Sequence, residues 1–332
     1  MKLWRQRQKG FTLVEVLVSL VMASIIVVSL GTLLIDMLQT ETREASLNQL
    51  RQDLKAAMDM ITTDLSQAVF VYDGNCLAGS QCGTGTRSQP LTNFLPPFPS
   101  TMHPVLAMWI LEPVPYDQNR LGYERYTIPS NCNNIWPQSD CIALQNGRRA
   151  HTLVVYYLDT TPDSEGVWQG RARLRRYALR KYKGLADTYI DLNQGYVEPS
   201  GFTNFAQWPI NVNNNTNLQS ARPIADMKRA VVVADFIDLD WNNESALIPC
   251  QKEINTPFIP AYVRTPLASA GVPNSFYACV QSRGESFNNA TFVYLRGNPH
   301  GLPGIRAQDE ATRPVITTTV LSRSVYRKVP KF

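Results

Sequence analysis

The chain is 332 residues long, 44% hydrophobic and 18% charged, with a net charge of +5. Lys2, Arg5, Arg7 and Lys9 supply most of that excess, so the remainder is close to neutral and a chain-wide nucleic-acid-binding surface is excluded. The length allows one large domain or two small ones.

The first element is an apolar run. From Phe11 to Leu34 the only charged side chain is Glu15, and the next is Asp36. A helix of that length reaches about 36 Å, enough for a hydrocarbon core. The basic flank places residues 1–10 in the cytoplasm and the bulk of the chain outside. A cleaved secretory signal would have a shorter apolar core followed by a small-residue cleavage site. A plain signal anchor fits the length but leaves Glu15 unexplained. A carboxylate at that depth costs about 2.5–3.5 kcal/mol, less near the interface, and so asks for a partner.

The stretch KGFTLVEVLVSL resembles the leader junction of type IV pilins and pseudopilins. In that family a membrane peptidase cuts after the glycine and the new N-terminus is N-methylated. The resemblance makes Gly10 the cleavage residue, Phe11 the methylated terminus and Glu15 the acid that faces a terminal amine. Such a pair neutralises two charges that would each be costly alone in lipid, and it would set the register between packed helices.

The helical pattern continues beyond the apolar run. Leu47, Leu50, Leu54, Met58, Ile61 and Leu65 recur at spacings of three and four between charged residues, and no proline precedes Pro90. One helix is predicted from about Phe11 to Val69, apolar all round at first and then amphipathic. A sheet would cover its stripe; a coiled-coil dimer is the rival. Residues 73–104, 193–223 and 242–289 read as loops. Strands are predicted over Val105–Leu111, Thr152–Leu158, Arg171–Leu179, Ala230–Trp241, Thr291–Arg296 and Thr317–Arg327. The expected fold is α+β, a long N-terminal α-helix (transmembrane, then amphipathic) packed on an antiparallel β-sheet with long loops.

Six cysteines, Cys76, Cys82, Cys132, Cys141, Cys250 and Cys279, all follow the apolar run. No C-x2-C occurs, and His103, His151 and His300 are far apart, so a zinc site is not indicated. Grouping near neighbours gives 76–82, 132–141 and 250–279 as the expected disulfides, which fits an oxidising compartment; reduced structural thiols are the alternative.

Asp238, Asp240, Asn242 and Glu244 have calcium-loop spacing at their first positions, but Asn243 replaces the glycine and Pro249 the bidentate acid. A polar strand face followed by a turn explains them. Arg171, Arg173, Arg175 and Arg176, with Arg180, Lys181 and Lys183, form a basic strip interleaved with Tyr177 and Tyr182. Strand alternation makes Arg171, Arg173 and Arg175 a solvated outer face. The functional alternative is contact with a polyanion, an acidic polysaccharide rather than nucleic acid. Phosphate-loop, nucleophile-elbow and zincin motifs are missing, and an enzyme is not expected.

The resemblance extends weakly into the head. TLVVYYL, RLRRYAL, VVVADFIDLDW and TTTVLSRSV look like strands of J- or W-type minor pilins and pseudopilins, and AAMDMITTDLSQAVFVYDG looks like a pseudopilin of the cyanobacterial hormogonium polysaccharide secretion system. The family's major subunits usually kink the helix at a proline; here there is only Gly31-Thr32, which suits a minor subunit. The resemblance divides the chain into a leader (1–10), a transmembrane polymerisation helix (11–35), its amphipathic continuation (36–70) and an extracytoplasmic head (71–332). It implies a single-pass protein of the inner membrane with a periplasmic head, able to reach the cell surface in a pilus. Its expected partners are other pilin-like subunits, a prepilin peptidase and an inner-membrane platform protein, and no cofactor is expected. The rival is a signal-anchored binding protein that never polymerises.

Overall fold

The computed structural model describes residues 10–79, 81–82, 85–86, 89–114, 116, 127–186, 188–227, 229–239, 250, 262–268, 271–281, 290–305 and 313–322. The basic leader, Asp240, Asn242 and Glu244 lie outside the described residues.

Helix α1 runs from Leu13 to Gln67 as 55 unbroken residues. Thr12 caps it, its hydroxyl oxygen accepting the Glu15 N–H at 3.3 Å. The absence of proline and the single glycine, Gly31, explain why no break occurs. At Ala68 the backbone turns extended and the chain enters β1 (Ala68–Tyr72), so the predicted helix ends two residues early. There follow α2 (Gly74–Ala78), β2 (Gln81–Cys82), β3 (Gly85–Thr86), a short 3-10 turn (Leu91–Phe94), β4 (Met102–Pro113), α3 (Gln138–Gly147), β5 (Arg149–Asp159) and β6 (Arg173–Leu179). Then come β7 (Tyr182–Ala186), β8 (Tyr189–Leu192), β9 (Ala230–Ala234), β10 (Tyr262–Thr265), β11 (Phe276–Gln281), β12 (Ala290–Arg296) and β13 (Val315–Leu321).

Among the described residues there are two main antiparallel sheets, not one, with strand orders β1-β4-β5-β6-β9 and β10-β11-β12-β13. The second contains β10 and β11, inside a stretch whose Asn, Pro and Ser content predicted loop. In β11 the alternation is clear once seen: Phe276, Ala278 and Val280 enter the main core, while Tyr277 and Cys279 face the other way. The predicted strand from Ala230 is shorter in the structure, because Phe236 adopts a positive φ of 57° just after β9. Residues 73–104 are likewise less irregular than predicted, holding α2, β2, β3 and the 3-10 turn.

The lower half of α1 projects from the head, and its large apolar side chains from Phe11 to Leu38 are exposed. The upper half buries Leu50, Leu54, Ala57, Met58, Ile61 and Leu65 against both sheets, with Val154, Tyr156 and Leu158 of β5 and Val293 and Leu295 of β12. The opposite face of the first sheet is covered by loops: Trp109, Val155 and Tyr177 pack with Phe94, Trp208 and Ile210. The first sheet is therefore the middle of three layers, with the helix on one face and the long loops on the other.

Candidate assembly site

Gly10 has open space around the position where a Cβ would stand, and Phe11 is 80% exposed. The junction between them is sterically free. Thr12 starts the helix immediately afterwards, which places Glu15 in its first turn and exposed on the shaft. An acid near a helix N-terminus is favoured by the unpaired N–H groups there. If the chain is cut after Gly10, the new amine on Phe11 lies four residues before Glu15, just outside the helix that starts at Leu13.

The rest of the shaft is arranged for an apolar environment. Its hydroxyls bond back to their own helix: Ser19 donates to the Val16 carbonyl (2.8 Å), Ser24 to Val21 (2.7 Å), Ser29 to Ile25 (2.8 Å) and Thr32 to Ser29 (2.9 Å). Polar groups satisfied in this way can enter lipid. The helix is long and apolar enough to cross a membrane, and none of its most apolar window is buried in the head. Glu15 is the one ionisable side chain of the shaft between Phe11 and Asp36, and it has no side-chain partner within the chain's described residues.

The basic strip is corrected by the structure. Arg173 and Arg175 do share a face, but that face is buried against Asp159, at 3.5 and 2.6 Å. Arg176 points to the helix side and grips Asp64 with two hydrogen bonds of 2.7 and 3.1 Å, while Tyr156 donates to the same carboxylate at 2.6 Å. Burial depresses the pKa of Arg176, but the hydrogen bonds and charge of Asp64 outweigh it and hold the guanidinium above its ordinary range. Arg180 makes a bidentate pair with Glu112, and Lys181 lies between Asp140 and Glu198 at 3.1 and 3.0 Å. Arg173, Arg175 and Arg176 are thus neither solvated nor presented to a polyanion. Arg171 is exposed. The same logic applies to the calcium reading at its first position: Asp238 is buried with Arg296 at 2.7 Å and Arg313 at 3.2 Å, cations that leave no room for a metal ion.

The cysteines form three disulfides, Cys76–Cys82, Cys132–Cys141 and Cys250–Cys279, and none is free. What the sequence reading missed are the acids that neutralise the strip. Asp64 could have been found, since it falls three residues after Ile61 on the buried stripe; Glu112, Asp159 and Glu198 carry no local sign of their partners.

Residues 5–31 match the family model for the prokaryotic N-terminal methylation motif. Comparison with curated proteins gave no match, and comparison with solved structures gave none. The motif covers the leader junction and most of the exposed shaft, and together with that shaft it supports a type IV pilin-like protein anchored in a membrane by its N-terminal helix.

Proposed function

We propose that the protein is a minor pilin or pseudopilin subunit that initiates or caps a short pseudopilus, serving polysaccharide secretion and surface motility. The observation that carries this reading is the exposed apolar shaft, which begins at a processing motif and bears a single acid one turn past the cut. Peptidase cleavage after Gly10 and methylation of Phe11 would leave an amine that Glu15 of a neighbour can neutralise. The head argues for a low-copy position. It carries two sheets and a layer of long loops, a bulk that suits an end of a filament better than its repeating wall. The chain needs no cofactor for this role, since the mechanical work belongs to a separate cytoplasmic ATPase. The head would lie in the periplasm, where the three disulfides persist.

The mass and N-terminal sequence of the mature chain test the processing step. A chain beginning at methylated Phe11 is expected; an uncut chain beginning at Met1 in cells with active prepilin peptidase would overturn the reading. Deletion scored for exported polysaccharide and for piliation separates the secretion role from twitching or DNA uptake.

A further inference from the structure

We propose that Trp136, at the end of the head beyond the top of α1, is the stacking platform of a binding site for a neutral polysaccharide. The inference uses only the head and does not depend on the assembly reading of the shaft. The position follows from the strand register. α1 ends at Gln67, and the next residue, Ala68, pairs with Ile110 of β4, which pairs with Thr152 of β5. From there β5 descends beside the helix, since Tyr156 bonds Asp64. The start of β5 at Arg149, and α3 directly before it, therefore lie past the upper end of the helix.

Trp136 is 85% exposed, yet the backbone on both sides of it is fixed. Ile135 is buried with Val114, Tyr116 and Leu144, and the Cys132–Cys141 disulfide joins the segment to α3. The Ile135 N–H donates to the Cys132 carbonyl (3.4 Å) and the Cys141 N–H to that of Pro137 (3.2 Å), while the Pro137 ring restricts its own φ. The indole thus forgoes the burial that its neighbour Ile135 takes, and a ligand meets a ring whose backbone is already ordered.

The chemistry around the ring fits a sugar without charge. Asn131, Asn133, Asn134 and Gln138 flank Trp136 in sequence and are exposed, and no residue from Thr127 to Ser139 is charged. Asp140, the next residue, is held by Lys181 at 3.1 Å. Arg148 and Arg149 are exposed, but they follow the other end of α3, about 15 Å along the helix. The C–H face of a pyranose packs on an indole, whose ring face is electron-rich. Carboxamides offer a donor and an acceptor to hydroxyls that are both. An acidic polymer would call for cations that this segment lacks, and the apolar core of a protein interface would meet a rim of amides here.

The test passes the full chain, held in phospholipid nanodiscs free of sugar-headed detergent, over immobilised dextran, galactomannan and xyloglucan. Polygalacturonate serves as the acidic comparison. Retention on a neutral polymer is expected, and it should not weaken with added salt. Trp136→Ala should lower that affinity several-fold and Trp136→Phe less, because the second variant keeps an aromatic face. Circular dichroism should show both variants folded, as the side chain is exposed. No retention on any of the neutral polymers overturns the proposal, and so does a folded Trp136→Ala variant that binds as the native chain does. Salt-sensitive retention on polygalacturonate alone overturns it in favour of an acidic ligand. Self-association lost in Trp136→Ala, without glycan binding, overturns it in favour of a neighbouring subunit. Cleavage after Gly10 is scored separately by mass, so this proposal and the assembly reading fail by different measurements.

Discussion

Asp64 is 7% exposed within the apolar stripe of α1, held there by Arg176 and Tyr156. A buried pair of this kind adds little over apolar neighbours, but losing one member strands the other charge. Arg176→Met should cost about 3–5 kcal/mol in urea unfolding, and adding Asp64→Leu should restore much of it. A double variant no better than the single would show that the pair is not the source of the loss. Glu198 gives the pH counterpart. Burial raises its pKa, but the hydrogen bond with His151 and the charge of Lys181 bring it from 4.5 down to about 2. A carboxyl depressed in the folded state stabilises it above the unfolded value and ceases to do so as pH falls through the folded one. Stability should therefore decline as pH drops from 4.5 toward 2, and Glu198→Gln should flatten the decline. An unchanged slope in that variant would assign the acid sensitivity to other carboxylates, such as Asp159 and Glu112, which are also lowered.

As an element, α1 is two structures in one covalent rod. Its upper half folds with the head: a Cβ on Gly297 would come within 2.7 Å of Leu54, and Gly304, at a φ of 76°, brings its backbone against Arg43. Ser46 donates to the Pro303 carbonyl at 2.9 Å, so residues 297–304 clasp the helix where it leaves the core. Its lower half has no partner among the described residues. Leu54→Ala should lower head stability by about 2–5 kcal/mol, whereas Leu33→Ala, on an exposed position, should leave it unchanged. Circular dichroism on both variants in detergent checks this, and equal losses would mean that the halves are not separate.

For the whole molecule, the proposed function puts assembly in the shaft, and Glu15 is where that proposal is tested. Glu15→Ala or Glu15→Val should leave insertion and cleavage intact and reduce incorporation into the filament. Immunodetection in sheared surface fractions against the membrane fraction measures this; normal incorporation would give the acid another purpose. The apolar variant should insert at least as well, because it removes a cost of up to about 2.5–3.5 kcal/mol, less near the interface, and the membrane fraction checks that insertion is intact.

The shaft, the N-terminal methylation motif and the α+β class were legible in the sequence, because an unbroken apolar run, a charge flank and an acid at fixed offset are local signals. The amphipathic stripe and the strands at Thr152–Leu158 and Thr291–Arg296 were legible for the same reason. The basic strip was not. Periodicity placed Arg171, Arg173 and Arg175 on one face, yet which face is wet depends on what packs there, and Asp159 is brought to Arg175 only by the β5–β6 register. Asp64 meets Arg176 across 112 positions of sequence. The second sheet was hidden likewise, since β10 and β11 are short runs inside an Asn-, Pro- and Ser-rich stretch and find their partners through pairing with each other and with β12. Local chemistry thus decided that the chain carries an N-terminal methylation motif and an apolar helix long enough to cross a membrane. Only the tertiary fold decided that Arg173, Arg175, Arg176 and Arg180 pair with acids inside the head, because burial is a property of neighbours distant in sequence.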